Sequence, residues 1–469
     1  MFRLYRSVTA LLLAMSAMPA VAATFTINST ASLDDANLND GVCDVDLGSA
    51  GQQCTLRAAI QAANATPAAD TILFASSITT LTLTLPIPQS TTPMAIDGAN
   101  ASAVGGRVNI NGNNVVGSFD FNAGAQGSTL KNLVIRNFND DGVAIVGHGY
   151  TIENNYIGVT PQGTAASRNT GDGISVTGVA APPANIPNLG LPSDLTNIAT
   201  VTADLIAAFS SIPPNYIQNN VISGNDGDGI DIFSENAAVN IVSNNRIGSS
   251  ASGLNAIPNG TGGGTGHGVR INSFSYANVI GPGNQISGNN SDPDSHGVAL
   301  IAGAVRYPNF ISGNIIGPSS AIVTGLGNSV HGIFVDTRPQ TAAPPNNPTN
   351  LGALIGPGNI IGYNGDAAPG ADLNGPVDAG IAISGNSARI RVYGNFIGVG
   401  EDPVNQGTFV DIGNRGDGIT VNTADHEIGG TLPVLKNVIS SNDRHGISVR
   451  GSGVHSLRIV GNLIGRDPL

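Results

Sequence analysis

The sequence predicts an all-β protein, a right-handed parallel β-helix in which short strands stack coil upon coil. The first indication is a repeated pair of apolar motifs, N-x-I-[GS] and G-[IV]-x-[IV], which is clearest between residues 220 and 232. The second is a further apolar segment after each pair, such as residues 240–242. All three segments alternate apolar and variable residues, as half-buried strands do. Three strands per unit indicate about ten regular coils after two or three irregular ones.

The composition agrees with stacked strands. The chain has 63 Gly, no Trp and only two Lys, and pairs such as Asn-Gly and Asp-Gly mark frequent turns. Hydrophobic residues make up 41% of the chain, which suffices for a core spread along an axis. The net charge of −13 argues against nucleic acid or an anionic membrane as the main partner. The units differ in length mostly between N-x-I-[GS] and the next G-[IV]-x-[IV], which predicts loops gathered at one corner.

Residues 1–23 have the features of a secretion signal. Arg3 and Arg6 precede a short apolar run over residues 8–15, and residues 20–22 form a small-residue cleavage site. No later segment is long and apolar enough to span a bilayer. We therefore expect an exported protein, secreted or held at the cell surface.

Residues 24–69 are predicted to cap the first coil. Cys43 and Cys54 are the only cysteines, and in an exported chain a disulfide is favoured over a two-cysteine metal site, which lacks nearby histidines. Thr55 is a suitable N-cap for a helix over residues 56–64. The apolar residues on one face of that helix are Leu56, Ala59, Ile60 and Ala63. Such a helix would cover the open edge of the first coil.

The segment DGVCD…QCTLRAAIQAAN resembles the "CSLREA" module that precedes β-helix domains in secreted bacterial proteins. Ala58 stands where that module usually carries Glu, so any ion pair of that Glu is absent. The resemblance covers roughly residues 24 to 75, and the later repeats resemble those of the pectin-lyase-like superfamily. The resemblance implies a secreted bacterial β-helix protein but implies little about function.

Residues 70–469 are predicted to form the β-helix, with irregular strands up to about residue 130. The largest insertion is 177–213, and the sequence predicts a helix over 193–209 that either packs on the flank of the coils or acts as a lid on a groove. Its apolar residues are Leu195, Ile198, Leu205 and Phe209. The last coil has no capping helix, which suggests self-association, another partner or a truncated product.

The first residue of N-x-I-[GS] is an asparagine that recurs ten times, from Asn132 to Asn462. Asparagine tolerates left-handed backbone and bonds to neighbouring groups. We therefore predict a structural ladder of asparagines along one corner.

The residue before the strand glycine forms a second column, near the corner that carries the loops. Its members are Asp141, Asp172, Asp228, His267, His296, His331, Ala379, Asp417 and His445. A structural turn preference is the favoured interpretation. The outward position of the same strand has no repeat, which excludes an ice-binding or amyloid-like face: Ala144, Ser175, Asp231, Arg270, Ala299, Phe334, Ala382, Thr420 and Ser448.

Two enzymatic alternatives use this column. Polygalacturonase-type hydrolases carry catalytic Asp and His in similar motifs, and the matching positions are Asp172, Asp228 and His267. The chain lacks the adjacent Asp-Asp pair and the later R-I-K of those enzymes. Uronate lyases of this fold commonly hold Ca²⁺ with acidic residues and use a basic residue as the base. Here the metal ligands would be Asp226, Asp228 and Asp231, with Arg270 as the base.

The sequence thus favours a secreted or cell-surface β-helix protein that contacts extracellular polysaccharide in a binding or adhesin-like role. The alternative is a polysaccharide lyase or glycoside hydrolase, with a catalytic centre where Asp172, Asp228, His267 and Arg270 stack. Ca²⁺ is the one cofactor indicated, and only for the lyase alternative. The identity of the sugar cannot be predicted from the sequence.

Overall fold

A computed structural model describes residues 21–465 except 180–196, 235, 302–307, 337–351, 366–377, 386, 388, 403–404 and 406. Residues 1–20 of the proposed secretion signal lie outside this range, so the signal stays a prediction. The described residues form three long sheets of parallel strands, which confirms the predicted parallel β-helix. The chain passes from sheet A to sheet B to sheet C and returns to sheet A one coil further on.

Sheet A has thirteen strands. They are Thr24–Ile27, Asp70–Phe74, Met94–Asp97, Thr129–Lys131, Thr151–Glu153, Asn215–Gln218, Asn240–Ser243, Val279–Ile280, Asn309–Ile311, Ala353–Ile355, Arg391–Val392, Glu427–Gly429 and Arg458–Val460. Sheet B has twelve strands. They are Thr80–Thr82, Val108–Asn111, Leu133–Arg136, Tyr156–Ile157, Val221–Ile222, Arg246–Ile247, Gln285–Ile286, Ile315–Ile316, Ile360–Ile361, Phe396–Ile397, Val438–Ile439 and Leu463–Ile464.

Sheet C has ten strands. They are Phe119–Phe121, Val143–Val146, Ile174–Thr177, Ile230–Phe233, Val269–Ile271, Val298–Ile301, His331–Asp336, Ala379–Ile383, Asp417–Val421 and Ile447–Val449. Short elements outside the three sheets are the 3-10 turns Val104–Gly106, Ala123–Ala125 and Pro433–Leu435 and the hairpin of Val399–Glu401 with Phe409–Asp411. Ten coils thus have a strand on all three sides, as predicted, whereas the coils that begin at residues 24 and 70 have no strand in sheet C.

The first strand, Thr24–Ile27, was not predicted. It pairs in parallel with Asp70–Phe74, so the β-helix begins before the capping helix rather than after it. Its TFTI sequence alternates buried and exposed residues. Four residues without a repeat partner give too weak a period-two signal to be recognised in the sequence.

The strand glycine of G-[IV]-x-[IV] is required by the tight spacing of the coils. A Cβ atom on Gly229 would lie 2.5 Å from the carbonyl oxygen of Gly268 and 2.6 Å from Cγ2 of Ile247. The next residues point inward, and Ile230 and Ile232 are fully buried in the continuous apolar core. Each coil therefore contributes a few large side chains to a core that runs along the axis.

The corner between sheets A and B is held by an asparagine ladder. The amide of Asn245 donates to Asn284 Oδ1 at 3.1 Å and to the carbonyl oxygen of Ile217 at 2.8 Å, and the Asn245 backbone N–H also donates to Asn284 Oδ1, at 3.0 Å. The pattern recurs along the rod, which confirms the predicted structural role. The ladder residues are Asn155, Asn220, Asn245, Asn284, Asn314, Asn359, Asn395, Asn437 and Asn462.

Asn132 was wrongly assigned to this ladder. The backbone N–H of Leu133 donates to Asn155 Oδ1, so Leu133 occupies the ladder position on its coil. Asn132 lies one residue earlier, with a φ of +58°, and its amide donates to Asp97. In this coil the asparagine lies one residue before the ladder position. The sequence pattern alone could not distinguish Asn132 from the ladder position at Leu133.

Two further ladders were not predicted. One follows the corner between sheets B and C and consists of Asn169, Asn225, Asn259, Asn289, Asn328, Asn364, Asn414 and Asn442. The other joins Asn215, Asn240, Asn278 and Asn309 between sheets C and A. Their members have no constant spacing to the next strand, since Asn225 lies five residues before Ile230 but Asn259 lies ten before Val269. In a single unit each therefore resembles an ordinary turn residue.

The insertions lie at two corners rather than one. The stretches 178–214, 302–308 and 337–352 connect sheet C to sheet A, whereas 362–378 and 398–416 connect sheet B to sheet C. The expectation that nearly all length variation falls before the strand glycine was therefore wrong. Both variable corners border sheet C.

The N-terminal cap has the predicted form. Helix α1 spans Leu56–Asn64, and the Thr55 hydroxyl accepts the Ala58 N–H. Its apolar face is buried in the main core with Ile27 and Ile72. Cys43 and Cys54 form a disulfide.

Helix α2 lies in the largest insertion and spans Ile198–Ala208, the described part of the predicted helix. Leu205 and Phe209 are buried, together with Val201. Phe209 packs against Tyr276 with ring centroids 5.9 Å apart. The helix therefore packs on the outer side of sheet A, which confirms flank packing rather than a lid.

At the C-terminal end of the described chain, Val449, Ile459 and Ile464 are 42–48% exposed. The predicted self-association through this coil stays a prediction. Neither described helix has the length and apolar character needed to cross a bilayer.

Replacing both Cys43 and Cys54 with alanine should loosen the N-terminal cap. The disulfide closes a loop of about ten residues, and its loss should lower the stability of the cap by about 2–3 kcal/mol. Hydrogen exchange should then increase first over residues 24–64. Free thiols in the exported wild-type protein, or unchanged exchange in the double variant, would contradict this prediction.

Asn284→Ala should destabilise the coils around it. The substitution leaves the Asn245 N–H and amide without their shared acceptor, and each unsatisfied buried group costs about 1–3 kcal/mol. Urea unfolding should show the loss, and Asn255→Ala, at an exposed position, is the matched control. Equal stability of the two variants would mean that the ladder contributes little.

Candidate functional site

The column before the strand glycine follows a single line along the edge of sheet C. Strand pairing places His331 beside Ala379 and Ala379 beside Asp417. The same register joins the strands that follow Asp172, Asp228 and His267. The structure therefore brings the predicted catalytic residues onto successive coils, as the sequence indicated.

The column side chains accept hydrogen bonds from the backbone of the next coil. Asp172 Oδ1 accepts the Asp228 N–H at 2.6 Å, and Asp228 Oδ1 accepts the His267 N–H at 2.7 Å. His267 Nδ1 accepts the His296 N–H at 3.1 Å in the same way. Asp and His can both occupy this column because each can hold an acceptor atom at the same place.

Asp228 and Asp231 are buried and hold Arg270 between them. Arg270 donates from Nε and Nη2 to the two oxygens of Asp231, at 3.0 and 2.6 Å. Its Nε also lies 2.9 Å from Asp228 Oδ2. Asp228 is 1% exposed and Asp231 3% exposed, so neither carboxylate is open to a substrate. Both oxygens of Asp228 are thus occupied, one by a backbone N–H and one by a guanidinium.

Asp172 differs from Asp228 because it is partly exposed. Burial, and next to it the negative charge of Asp141, raises the pKa of the Asp172 carboxyl to about 7, although Arg270 acts in the opposite direction. Burial also raises the pKa of Asp228 well above its ordinary value. The pair that general acid–base chemistry requires is therefore incomplete, since only Asp172 is accessible.

Three imidazoles stack in the middle of the column. The rings of His267 and His296 are 5.1 Å apart and nearly parallel, and His296 and His331 repeat that spacing. Burial lowers their pKa values to about 3 for His267, 2 for His296 and 4 for His331. Because each Nδ1 accepts a backbone N–H, the proton of each neutral ring is on Nε2.

Phe334 extends this stack onto the outer face of sheet C. Its ring centroid lies 4.5 Å from that of His296 and 5.5 Å from that of His331. Phe334 therefore leans toward the preceding coil, where its strand partner is the small Ala299. Phe334 is partly exposed, whereas the imidazoles are at most 9% exposed. The sequence pattern predicts that Phe334 lies on the outer face but indicates no role for it, because the outward row has no repeat.

Near the end of the column, the buried Asp417 contacts both a histidine and an arginine. Asp417 Oδ1 accepts the Nδ1 proton of His445 at 2.8 Å, and Arg450 Nη2 lies 3.1 Å from Asp417 Oδ2. Burial raises the pKa of Asp417, but its hydrogen bonds to His445 and Thr420 and the charge of Arg450 outweigh burial and hold the pKa below its ordinary value. The side chains of His445 and Arg450 therefore both contact a buried carboxylate.

The predicted Ca²⁺ ligands do not form a common site. Asp226 Oδ1 accepts from Thr261 at 2.7 Å and from Arg168 at 3.2 Å, away from the Arg270 pair. Asp228 and Asp231 are both engaged by Arg270. Over the described residues, no group of three or more His, Cys, Asp or Glu side chains is arranged to hold a metal ion.

Comparison with known proteins gives structural neighbours only. No protein-family pattern and no curated sequence matches the chain. The A-module of the mannuronan C-5 epimerase AlgE4 of Azotobacter vinelandii is similar over 84% of each chain, with 15% identity and a TM-score of 0.34. The AlgE6 A-module of the same organism covers 94% of this chain and 100% of its own, with 11% identity and a TM-score of 0.31.

A third neighbour is the catalytic domain of a GH87 α-1,3-glucanase in complex with tetrasaccharides. It shares 15% identity over 85% of this chain and 60% of its own, with a TM-score of 0.22. Similarity this low identifies neither a substrate nor a reaction for the present chain.

Asp172→Asn should flatten the pH dependence of stability. Folded Asp172 keeps its proton up to about pH 7, whereas an unfolded aspartate loses it near about pH 4. The folded state binds the extra proton between these values, so this residue's contribution to stability falls as pH rises through that window. Asparagine retains the oxygen that accepts the Asp228 N–H but cannot titrate.

Urea unfolding at pH 5 and pH 8 measures this effect. The wild type should lose more stability than Asp172→Asn between the two conditions, and the exposed Asp294→Asn variant should behave like the wild type. A constant difference between wild type and Asp172→Asn at both pH values would show that Asp172 titrates normally.

Proposed function

We propose that the protein binds an extracellular polysaccharide along the outer face of sheet C. The observation that carries the proposal is the aromatic platform, defined here as Phe334 with the stacked rings of His296 and His331. Sugar rings have apolar C–H faces that pack on aromatic rings, and their hydroxyl groups need hydrogen-bond partners beside the ring. The platform and its polar neighbours offer both.

Polar groups border the platform on the N-terminal side. Arg270 precedes Ala299 and Phe334 in the same outward row, and its side chain is 28% exposed. Asn272 and Asp231 lie beside it and are joined by a hydrogen bond of 3.2 Å. These groups are fixed by their mutual contacts, which reduces the conformational entropy lost when a ligand binds.

The repetitive geometry also suits a polymer. Strands of neighbouring coils are about 4.8 Å apart, so the outer face presents side chains at regular steps along the rod. A polysaccharide lying along this axis could contact several coils at once, and weak contacts on successive coils would add up. Export, predicted from residues 1–23, would place the protein where such polymers occur.

Binding is favoured over catalysis by the state of Asp228. This carboxylate was half of the predicted acid–base pair, but it is buried and accepts the His267 N–H. Asp228 and His267 instead act as column members that hold successive coils together. The neutral imidazole of His267, whose Nδ1 is engaged, lacks the free basic nitrogen of a general base.

A polysaccharide lyase or glycoside hydrolase is the second candidate, favoured by one observation. Asp172 is partly exposed, and its carboxyl has a pKa raised to about 7. Such a group can act as a general acid at neutral pH. In this function Asp172 would protonate a leaving group, with Arg270 holding substrate beside it.

Phe334→Ala should weaken polysaccharide binding without changing the fold. Losing the exposed ring of the platform should reduce affinity by about tenfold, or about 1.4 kcal/mol. Affinity electrophoresis on a panel of polysaccharides measures the change. Phe396→Ala is the matched control, because Phe396 is a partly exposed aromatic on sheet B that stacks on Phe409.

The same samples separate the two candidate functions. Absorbance near 235 nm would reveal a lyase, and new reducing ends would reveal a hydrolase. Binding without either signal supports the proposed role. Turnover of a polysaccharide that Asp172→Asn abolishes would instead establish the second candidate. Equal affinity of Phe334→Ala and Phe396→Ala for the polysaccharide would show that the aromatic platform is not the binding site.

A further inference from the structure

We propose that the polysaccharide bound on sheet C is uncharged, a neutral glycan rather than a polyuronate or a sulfated polymer. This inference rests on the proposed function and specifies its ligand class. It follows from the charges on the outer face of sheet C, where carboxylates are plentiful and every described cation is already paired.

The arginines on this face are neutralised by the protein itself. Arg270 contacts the carboxylates of both Asp228 and Asp231. Arg450, directly after the last strand of sheet C, faces the buried carboxylate of Asp417. The charge of each guanidinium is thus already balanced by a carboxylate that is almost fully buried. Breaking such a pair would leave a buried charge uncompensated, which is strongly unfavourable.

The stacked histidines His267, His296 and His331 add no positive charge at neutral pH. The geometry of the stack shows why, because the backbone N–H of the next coil points at each Nδ1 and would clash with a second proton there. His267 and His296 receive such bonds at 3.1 and 3.4 Å, and His331 receives one at 3.0 Å from Ala379. Each neutral ring therefore carries its single proton on Nε2 and brings hydrogen-bonding capacity but no charge to this face.

Several acidic side chains remain partly exposed on the same face. Asp120 and Asp172 project from the first coils of sheet C, together with Asp141. Asp336 is partly exposed at the end of the strand that carries Phe334. A polymer with a carboxylate or sulfate on each residue would meet these charges along its length, and like charges facing each other oppose binding. A neutral polymer meets hydrogen-bond acceptors instead.

The proposed sugar-binding site is the stretch of the outward row from Arg270 to Phe334. These two residues are separated in the outward row by Ala299 alone, so they lie two strands, or about 10 Å, apart. Phe334 leans toward Ala299, on the coil that separates it from Arg270, and Asp231 lies one coil beyond Arg270. A chain of neutral sugars that begins on Phe334 and runs along the rod would reach the polar side chains of Arg270 and Asp231.

The test compares neutral and acidic polysaccharides at two salt concentrations. Dextran, galactomannan, xyloglucan and a mixed-linkage glucan represent neutral polymers, and polygalacturonate, alginate and hyaluronate represent acidic ones. Affinities are measured at pH 7.5 in about 0.01 M and about 0.15 M salt, between which the Debye length falls from about 30 to about 8 Å. The proteins are the wild type, Phe334→Ala, Phe334→Tyr and Phe396→Ala.

We expect at least one neutral polymer to bind at least about tenfold more tightly than any acidic one at low salt. Neutral binding should be independent of salt, should fall with Phe334→Ala and should survive with Phe334→Tyr and Phe396→Ala. Any weak acidic binding should strengthen as salt screens the repulsion.

Preference for an acidic polymer, with or without added Ca²⁺, would overturn this inference and leave the proposed function standing. Binding of no polymer in the panel at either salt concentration would overturn both the inference and the proposed function. If a neutral polysaccharide bound Phe334→Ala as tightly as the wild type, the proposed binding site at Phe334 would be wrong.

Discussion

Backbone N–H groups at the corners of each coil need acceptors, and in this protein side chains of the adjacent coil supply them. A corner is the one part of a coil that cannot rely on sheet pairing. Asparagine oxygens meet this need in three ladders, and the Asp and His column meets it at the entry to sheet C. An unsatisfied buried N–H is costly, so the stacking of coils depends on these side chains as much as on the apolar core. The strand glycine serves the same purpose, because it lets adjacent coils approach closely enough for these hydrogen bonds to form.

This structural requirement also shapes the outer surface of sheet C. Any residue with a suitably placed acceptor can fill the column, and the choice between Asp and His then sets the local charge. Aspartates fill the first coils of the column, and neutral stacked histidines fill the middle ones. The histidine stack gives Phe334 a flat surface to rest on, and the buried aspartate Asp228 helps to hold Arg270 beside it. Residues whose first role is to hold the coils together thus create the aromatic platform and its polar border.

Much of the fold could be predicted from the sequence because repetition amplifies weak local signals. The strand glycines, the disulfide and α1 follow from patterns that few other structures satisfy. Asn132 was misplaced because one residue of slippage leaves the motif intact while moving the side chain out of the ladder. The pairing of Asp228 with Arg270 could not be predicted, because it depends on side-chain directions across two coils. The role of Phe334 could not be predicted because the aromatic platform depends on side chains of different coils. The spacing of residues within one strand carries no information about such contacts.

The most direct test of the account is a crystal structure of the protein with a neutral oligosaccharide. We expect a sugar ring against Phe334, a chain of sugars running along the axis of the rod, and hydroxyl groups near Arg270 and Asp231. We also expect Asp228 to stay buried and bonded to the His267 N–H in the complex. A ligand seated on sheet A or sheet B, or one that displaces Arg270 from its aspartates to bind an acidic group, would contradict the account.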